Sequence, residues 1–225
     1  MTISIIIPTL NEVASVARAI DNALAGGAHE VIVVDGGSDD GTRKVVDDKG
    51  CRLLECAPGR AAQQNLGARQ ASGEVLMFLH ADNWLEPRGL RQIEEALADG
   101  DVLGGAFRQQ IEAPGRMYRL LERGNAFRAR RLRLPYGDQG IFMRREVFER
   151  LGGFPEVPIM EDLLLMRRFR RLARPVLLPG PLHVNPRRWQ RHGVVGQTAR
   201  NWLLLSATLL GVSPRRLAAF YPPHR

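Results

Sequence analysis

The feature that most constrains the fold is a set of short apolar runs in the first half of the chain. Residues 3–7, 31–34 and 75–79 are apolar throughout except for Ser4, and each run stops at a proline or a polar loop. Runs of this kind are typical of strands buried on both faces of a parallel sheet. Segments with helical spacing separate them, which predicts an open, mostly parallel α/β sheet of the Rossmann type.

The remaining elements extend this alternation of strands and helices. Helices are predicted at residues 11–24, 42–49, 61–71, 88–97, 117–133 and 161–172, and further strands at residues 52–56, 102–107, 140–143 and 176–178. The alternation weakens past residue 112, so the back half is expected to elaborate the same sheet. Because no linker or internal repeat interrupts the 225 residues, we expect a single domain.

The two halves differ in charge. Residues 1–112 hold 10 Lys and Arg against 17 Asp and Glu, whereas residues 113–225 hold 22 against 7, and the formal net charge is +8. A basic half is suited to phosphate, nucleic acid or an anionic membrane surface. Nearly all of the basic residues are arginine, however, and coding bias explains that preference equally well.

Cysteine use and hydropathy bear on the compartment. The two cysteines, Cys51 and Cys56, lie five positions apart in one predicted strand, so their side chains would point to opposite faces and a disulfide is not expected. The chain opens without a basic region followed by a long apolar core, and its longest apolar stretch, residues 202–212, is too short to span a bilayer. We expect a cytoplasmic protein.

Two segments of the back half are candidate contact surfaces. Residues 117–133 form a basic amphipathic helix that would bind anionic lipid or an acceptor phosphate, or would simply be solvated. Residues 194–212 are apolar on more than one face, which is typical of a helix in a core, in a homodimer interface or on a lipid surface. Peripheral attachment to the inner face of the membrane is therefore one expectation.

Polar loops follow three of the predicted strands: residues 8–12, 35–38 and 80–82. In an open parallel sheet, ligands collect at the carboxyl ends of the strands. Asp35 would accept hydrogen bonds from a base or ribose, and Asp82 would hold a divalent metal and a diphosphate. Taken singly, each loop is also ordinary turn chemistry. A dinucleotide site and a P-loop are not indicated, because neither glycine-rich signature occurs.

Six motifs in order along the chain resemble one family. They are Pro-Thr-Leu-Asn-Glu (8–12), Val-Asp-Gly-Gly-Ser-Asp-Asp-Gly-Thr (34–42), Gly-Arg through Asn to Gly-Ala-Arg (59–69), Leu-His-Ala-Asp (79–82), Gly-Gly-Phe-Pro (152–155) and Glu-Asp (161–162). The chain is similar to the family 2 inverting glycosyltransferases of the glycosyltransferase-A fold. Gly-Asp-Gln-Gly (137–140), Arg-Arg-Trp (187–189) and Gly-Val-Ser-Pro (211–214) further resemble a small bacterial subgroup associated with radical-SAM and selenodomain proteins.

The resemblance implies a nucleotide-diphosphate sugar as donor, bound by residues 1–112, and an acceptor site in residues 113–225. The implied donor-binding residues are Pro8, Thr9, Asn11, Glu12, Asp35, Gly36, Arg60, Ala81 and Asp82. It also implies that Asp82 and His80 bind Mn²⁺ or Mg²⁺. His80 replaces the first carboxylate of the usual Asp-x-Asp motif, so the ion has one negative ligand fewer.

The resemblance further implies that Asp162 is the general base, with Glu161 beside it. An inverting transfer needs one carboxylate to take the proton of the attacking hydroxyl. Taken alone, the pair would equally cap a helix. Arg60, Arg187 and Arg188 are candidates to offset the charge of the leaving diphosphate. The implied acceptor-binding residues are Asp138, Gln139, Arg188 and Trp189, and the acceptor is a small or lipid-linked molecule.

Two other functions compete with sugar transfer. A sugar nucleotidyltransferase shares the general architecture but normally carries a glycine-rich, arginine-containing signature after its first strand, where this chain has residues 8–12. A non-catalytic nucleotide- or nucleic-acid-binding protein would suit the basic half. That alternative leaves the clustering of Asp35, Asp82 and Asp162 unexplained, so no specific nucleic acid is expected.

Overall fold

A computed structural model describes residues 1–219. Its strands are β1 (Ile3–Thr9), β2 (Glu30–Asp35), β3 (Arg52–Glu55), β4 (Val75–Phe78), β5 (Asn83–Leu85), β6 (Gly104–Ile111), β7 (Phe142–Arg144) and β8 (Val176–Val184). Its α-helices are α1 (Val16–Ala25), α2 (Thr42–Asp48), α3 (Arg60–Gln70), α4 (Gly89–Leu97), α5 (Arg116–Arg131), α6 (Arg145–Arg150), α7 (Glu161–Leu172), α8 (Arg187–His192), α9 (Val194–Leu209) and α10 (Pro214–Ala218). A 3₁₀ turn covers Gly137–Gln139.

All eight strands lie in one sheet, in the order β3-β2-β1-β4-β7-β6-β8-β5. Strands β3, β2, β1 and β4 run parallel, which confirms the predicted Rossmann-like front half. β7 joins β4 and β6 in antiparallel pairs, β8 runs parallel to β6, and β5 closes the edge antiparallel to β8. Strands from both halves of the chain therefore share the sheet, and four of the seven neighbouring pairs among residues 1–219 are parallel.

The central strand shows why the first apolar run is continuous. Ile5 and Ile7 pack into the core on one face of the sheet, and Ile6 packs into a second core on the other face. Successive side chains of a strand point to opposite faces, so a strand covered on both sides needs apolar residues at every position. The same register places Thr9 opposite Asp35, which brings the carboxyl ends of β1 and β2 level with each other.

Two predicted boundaries are wrong, and one strand was missed. α1 begins at Val16 rather than at residue 11 or 12, because contacts to the neighbouring loop occupy the amides of Asn11 and Glu12. β8 runs on to Val184, past the prolines that suggested an end at residue 178; an irregular register opposite β6 accommodates them. β5 was not predicted, because three residues are too few to show a period.

The predicted cysteines and apolar segments have clear places. Cys51 and Cys56 flank β3, and both are free. In the part of the chain that the structure describes, no helix is long and apolar enough to cross a membrane. α9 buries one face, which includes Leu204 and Leu205, and leaves the opposite face exposed. α5 likewise exposes a face that carries Leu120 and Phe127.

Candidate active site

The loops after β1 and β2 are joined through Asp35. Its side chain is fully buried, and Oδ1 accepts hydrogen bonds from the amides of Gly37 at 2.9 Å and Ser38 at 2.7 Å. Oδ2 accepts from the hydroxyls of Thr9, at 3.0 Å, and Ser38. Four protein donors therefore fill its acceptor positions. In this structure Asp35 shapes the loop, while its predicted contact to a base or ribose stays a prediction.

Asn11 and Gly36 take backbone positions that this arrangement requires. Asn11 adopts the left-handed conformation, with φ of 56°; its amide donates to Ser38 Oγ and its Oδ1 accepts from the amide of Asp39. A Cβ on Gly36 would lie 3.2 Å from both the Gln63 side-chain amide and the Cα of Pro58. Only glycine lets α3 approach the end of β2 this closely.

Gln63 is a structural residue of the site that sequence reasoning missed. Its Nε2 donates to the carbonyl of Thr9 at 2.7 Å and to that of Val34 at 2.8 Å, so one side chain of α3 fixes the ends of β1 and β2. A glutamine in a helical segment gives no local signal for such contacts. Pro8 and Ala81 lie in or just after the strands that end here, and Ala81 is buried.

Asp82, Glu12 and Arg187 form one ion-pair cluster. Arg187 donates through both terminal nitrogens to the Glu12 carboxylate, and its Nη2 lies 3.1 Å from Asp82 Oδ2. Burial raises the pKa of Asp82; Arg187 opposes this shift, and the charge of Glu12 adds to it. The hydrogen bond to Glu12 raises the pKa of Arg187. The front loops are therefore tied to the segment that follows β8.

His80 and Asp162 meet at Gly137. A Cβ on Gly137 would lie 3.1 Å from His80 Nε2 and 3.2 Å from Asp162 Oδ2, so both side chains border the same small space. His80 Nε2 is shielded from solvent and has no hydrogen-bond partner among the described residues. Burial lowers the pKa of His80 well below its usual value, and the nearby arginines, first Arg60, add to this. The imidazole is therefore neutral at neutral pH.

The catalytic candidates begin α7. Asp162 Oδ2 accepts the amide of Gly137 at 2.6 Å, and Oδ1 accepts the amide of Leu163 at 2.7 Å. Glu161 is buried, and its Oε1 lies 3.3 Å from Arg60 Nη1. Burial raises the pKa of Glu161, Arg60 lowers it, and the charge of Asp162 raises it further. The structure thus brings Arg60, from the start of α3, to the start of α7.

Asp138 and Gln139 have different surroundings in the 3₁₀ turn. Asp138 Oδ1 is shielded from solvent without a hydrogen-bond partner among residues 1–219, and burial raises the pKa of this carboxyl. Gln139 is fully buried: its Oε1 accepts from Arg128 at 2.9 Å and from the amide of Tyr136 at 3.1 Å, and its Nε2 donates to Phe107. The amide of Gln139 therefore holds the turn, whereas Asp138 keeps an unused acceptor.

Arg188 and Trp189 lie on α8, next to the ion-pair cluster. The positive charge of Arg188 acts on His80, Asp82 and Asp138, so it lies close to all three. Trp189 is buried against Ile111 in a separate small core, which leaves little of its ring open for stacking on a sugar. Its predicted acceptor contact stays a prediction.

The described residues contain no group of three or more His, Cys, Asp or Glu side chains arranged to hold a metal ion. Asp82 supplies a single carboxylate, and His80 supplies an unused nitrogen two residues away. Oxygen and imidazole nitrogen are donors that Mn²⁺ accepts, and a diphosphate would provide further oxygens. The residue types therefore fit an ion that is shared with a diphosphate.

Comparisons with known proteins agree with this arrangement. The family model described as Glycosyl transferase family 2 matches residues 4–152, well over half of the chain. An uncharacterized glycosyltransferase from Nostoc sp. is 35% identical over 114 residues, which cover 46% of this chain and 35% of that protein. The chain thus spans about a third of the length of this curated relative.

Solved structures share the fold. TarS of S. aureus in complex with UDP-GlcNAc aligns with a TM-score of 0.63 at 19% identity, over 82% of this chain and 58% of that chain. Glucosyl-3-phosphoglycerate synthase of Mycobacterium tuberculosis, in complex with Mn²⁺, UDP and phosphoglyceric acid, aligns with a TM-score of 0.57 at 24% identity, over 82% and 68%. At these identities the likeness establishes the fold, which is the glycosyltransferase-A fold. With the match over residues 4–152, the chain belongs to glycosyltransferase family 2.

Proposed function

We propose that this chain moves a sugar from a nucleotide-diphosphate sugar to an acceptor hydroxyl with inversion at the anomeric carbon, using Asp162 as general base. The observation that carries the proposal is the meeting of Asp162 and His80 at Gly137. His80 follows β4, and β4 ends at the same sheet edge as β1 and β2. The base is thereby placed beside the loops proposed to hold the donor, as ligand sites in such sheets require.

The donor site is proposed to lie over the ends of β1 and β2. Asp35 fixes the loop, so the nucleotide would meet the backbone around Gly36 together with Pro8, Thr9 and Asn11. Arg60 and Arg187 carry the positive charge that a diphosphate needs. The complexes of TarS with UDP-GlcNAc and of the mycobacterial synthase with UDP support a nucleotide-diphosphate sugar as donor class.

Asp82 and His80 are proposed to hold a divalent cation, Mn²⁺ or Mg²⁺. When bound, the ion would offset the negative charge of the diphosphate. The Mn²⁺ in the complex of the mycobacterial synthase supports this assignment. Arg187 already neutralises part of the charge on Asp82 and Glu12, so it shares the electrostatic task.

The proposed chemistry at Asp162 is a proton transfer coupled to substitution. The acceptor oxygen forms a bond to the anomeric carbon while the bond from that carbon to the diphosphate oxygen breaks. The acceptor proton passes to Asp162, and the diphosphate leaves with the bonding electron pair. Glu161, paired with Arg60, is proposed to keep that arginine in place. Attack opposite to the leaving group inverts the configuration.

The acceptor is proposed to lie between Asp138 and Arg188. Asp138 Oδ1 is an unused acceptor for a sugar or alcohol hydroxyl, and Arg188 lies close to it. Gln139 would support this site by holding the turn, and Trp189 by packing beneath α8. A small or a lipid-linked acceptor both fit this chemistry.

The organisation and location of the chain are also proposals. We infer one catalytic domain in which residues 1–112 bind the donor and residues 113–225 bind the acceptor, acting in the cytoplasm. The shared sheet supports that division of work within one unit. A homodimer and an association with the inner face of the membrane are further proposals, and the apolar surfaces of α5 and α9 support them.

Product analysis tests the proposed reaction class. The purified chain would be incubated with UDP-GlcNAc, UDP-glucose or GDP-mannose and Mn²⁺, and separately with UTP or GTP and a sugar 1-phosphate. Release of the nucleoside diphosphate, even by slow transfer to water, is the expected result. Pyrophosphate release from the second mixture would instead identify a nucleotidyltransferase. Steeply salt-dependent RNA binding without any response to nucleotide sugars would overturn the transferase proposal.

A further inference from the structure

The exposed face of α9 is apolar and carries no charge. Leu203 and Leu210 are 70% and 85% exposed, and Val195 and Trp202 are also exposed. These residues recur at spacings of seven or eight, which places them on one side of the helix. The charged residue within α9, Arg200, is half-buried. A solvated helix face of this length normally carries charge, so this face is suited to an apolar surrounding.

α5 exposes a second face in which arginines and apolar residues alternate. Leu120 and Phe127 are each 62% exposed. Helical spacing puts Arg116, Arg123 and Arg130 on the same side, and all three are exposed. α5 packs against α9, so the two exposed faces belong to neighbouring helices.

Acidic side chains are lacking on the exposed face of α5. Glu122 is the acidic residue of this helix, and it lies off that face, where it binds Arg119 at 2.9 Å and the amide of Ile111 at 2.6 Å. The arginines of the face therefore have no carboxylate on their own helix within that face. Such a surface attracts anions from outside the molecule.

We propose that the exposed faces of α5 and α9 dock on an anionic lipid bilayer. Leu203, Leu210 and Trp202 enter the boundary between head groups and acyl chains, where apolar side chains and tryptophan are stabilised. Phe127 and Leu120 join them from α5. The arginines between those two residues extend to the lipid phosphates, as long basic side chains do at interfaces. This docking does not depend on the chain being a glycosyltransferase.

A second copy of the chain is the less favoured occupant. A two-fold dimer places the same patch of both subunits face to face. Arg116, Arg123 and Arg130 of one copy would then approach the same arginines of the other, without acidic residues on α5 to pair with them. Like charges brought together in an interface oppose association. An anionic bilayer satisfies both the apolar and the basic parts of the surface.

Vesicle co-sedimentation of the full chain tests this proposal. Vesicles of phosphatidylcholine alone would be compared with vesicles that contain 30% phosphatidylglycerol, a composition given as about a third anionic lipid. The wild-type chain is expected to bind the anionic vesicles at least tenfold more tightly. The double substitution Leu203→Asn with Leu210→Asn should lower that binding at least tenfold. Because both side chains are exposed, these variants are expected to fold, which circular dichroism would verify.

Two further variants complete the test. Arg123→Gln with Arg130→Gln should remove the preference for anionic vesicles. Leu24→Asn with Arg91→Gln, a matched pair of exposed residues on α1 and α4, should bind as the wild type does. Equal loss in this control, or no vesicle binding by the wild type, would overturn the proposal. A dimer in light scattering that Leu203→Asn with Leu210→Asn dissociates, without vesicle binding, would assign the face to a second copy.

Discussion

Arg187 lies 3.1 Å from Asp82, although 105 positions separate them in the sequence. The same guanidinium holds Glu12, so a cation from the segment after β8 lies against the carboxylate proposed to bind a metal. Arg187 and a divalent ion would therefore compete for Asp82. This competition makes metal dependence a property that a single substitution should change.

Arg187→Ala should weaken nucleotide binding without metal and strengthen its response to Mn²⁺. The substitution removes a cation that offsets the diphosphate and also occupies Asp82. A hydrogen bond to a charged group contributes about 1.5–3 kcal/mol, so the ratio of Kd without and with Mn²⁺ should rise roughly tenfold. Isothermal titration calorimetry with UDP measures this ratio. Arg18→Ala, which breaks a similar two-bond pair with Glu112, is the control; an equal ratio in both variants would count against the competition.

Gly137→Ala should slow sugar transfer while the fold is kept. The added methyl would lie 3.1 Å from His80 Nε2 and 3.2 Å from Asp162 Oδ2, in the space that both side chains border. Displacement of catalytic groups by about 1 Å lowers rates about 100-fold. Gly124→Ala on α5, where a methyl meets no atom within 4 Å, is the matched control and should retain full transfer. Transfer by Gly137→Ala at the wild-type rate would show that this space is not part of the site.

Asp138→Asn should stabilise the folded chain, and more so at pH 8 than at pH 4. Burial raises the pKa of Asp138, so the folded state holds this proton more tightly than the unfolded state. The free energy of unfolding therefore falls as pH rises from the ordinary aspartate range through the raised pKa. Asparagine removes that loss. For a chain of this size, about 1 kcal/mol corresponds to about 2–4 °C in Tm.

Thermal unfolding at both pH values measures the effect of this substitution. Asp101→Asn, at an exposed aspartate, provides the comparison. If Asp138→Asn lowered Tm at both pH values, the carboxyl would be a stabilising group rather than one kept for a ligand. Loss of transfer together with a gain in stability would fit the proposed acceptor contact.

Gln139→Ala should destabilise the chain by about 2–4 kcal/mol. The substitution leaves Arg128, the amide of Tyr136 and the carbonyl of Phe107 without their partner inside the protein. A buried polar group without a hydrogen bond costs about 1–3 kcal/mol. Urea unfolding gives the free energy directly, and Gln110→Ala at an exposed position of β6 should change it by less than about 0.5 kcal/mol. Equal stability of the two variants would show that the turn does not need the amide.

The sequence predicted those parts of the fold whose signal is local. β1 was recognised because both faces of Ile5 and Ile6 are covered, and α7 was predicted with its observed bounds, Glu161–Leu172. β5 was missed because its three residues are held by pairing with β8, and that pairing leaves no periodic pattern. The start of α1 was misplaced because hydrogen bonds to a distant loop override the apolar spacing.

The candidate site shows the same division. The motifs located Asp35, Asp82 and Asp162, because each lies at the end of a strand or the start of a helix. They did not reveal how the side chains are used: the oxygens of Asp35 are taken up by the loop, and the amide of Gln139 by the turn. The pairing of Arg187 with Asp82 joins distant segments, so it depends on the folded arrangement rather than on any local pattern.

The most direct test of the central claim compares Asp162→Asn with Glu161→Gln. Each substitution removes one carboxylate at the start of α7, and asparagine keeps an oxygen that can accept the Gly137 amide. Transfer rate and donor Kd would be measured for both variants. Asp162→Asn is expected to lower the rate about 10²–10⁴-fold with donor Kd changed less than threefold, whereas Glu161→Gln retains at least a tenth of the rate. A rate for Asp162→Asn within tenfold of the wild type, or a rate loss explained by lost donor binding, would contradict its role as base.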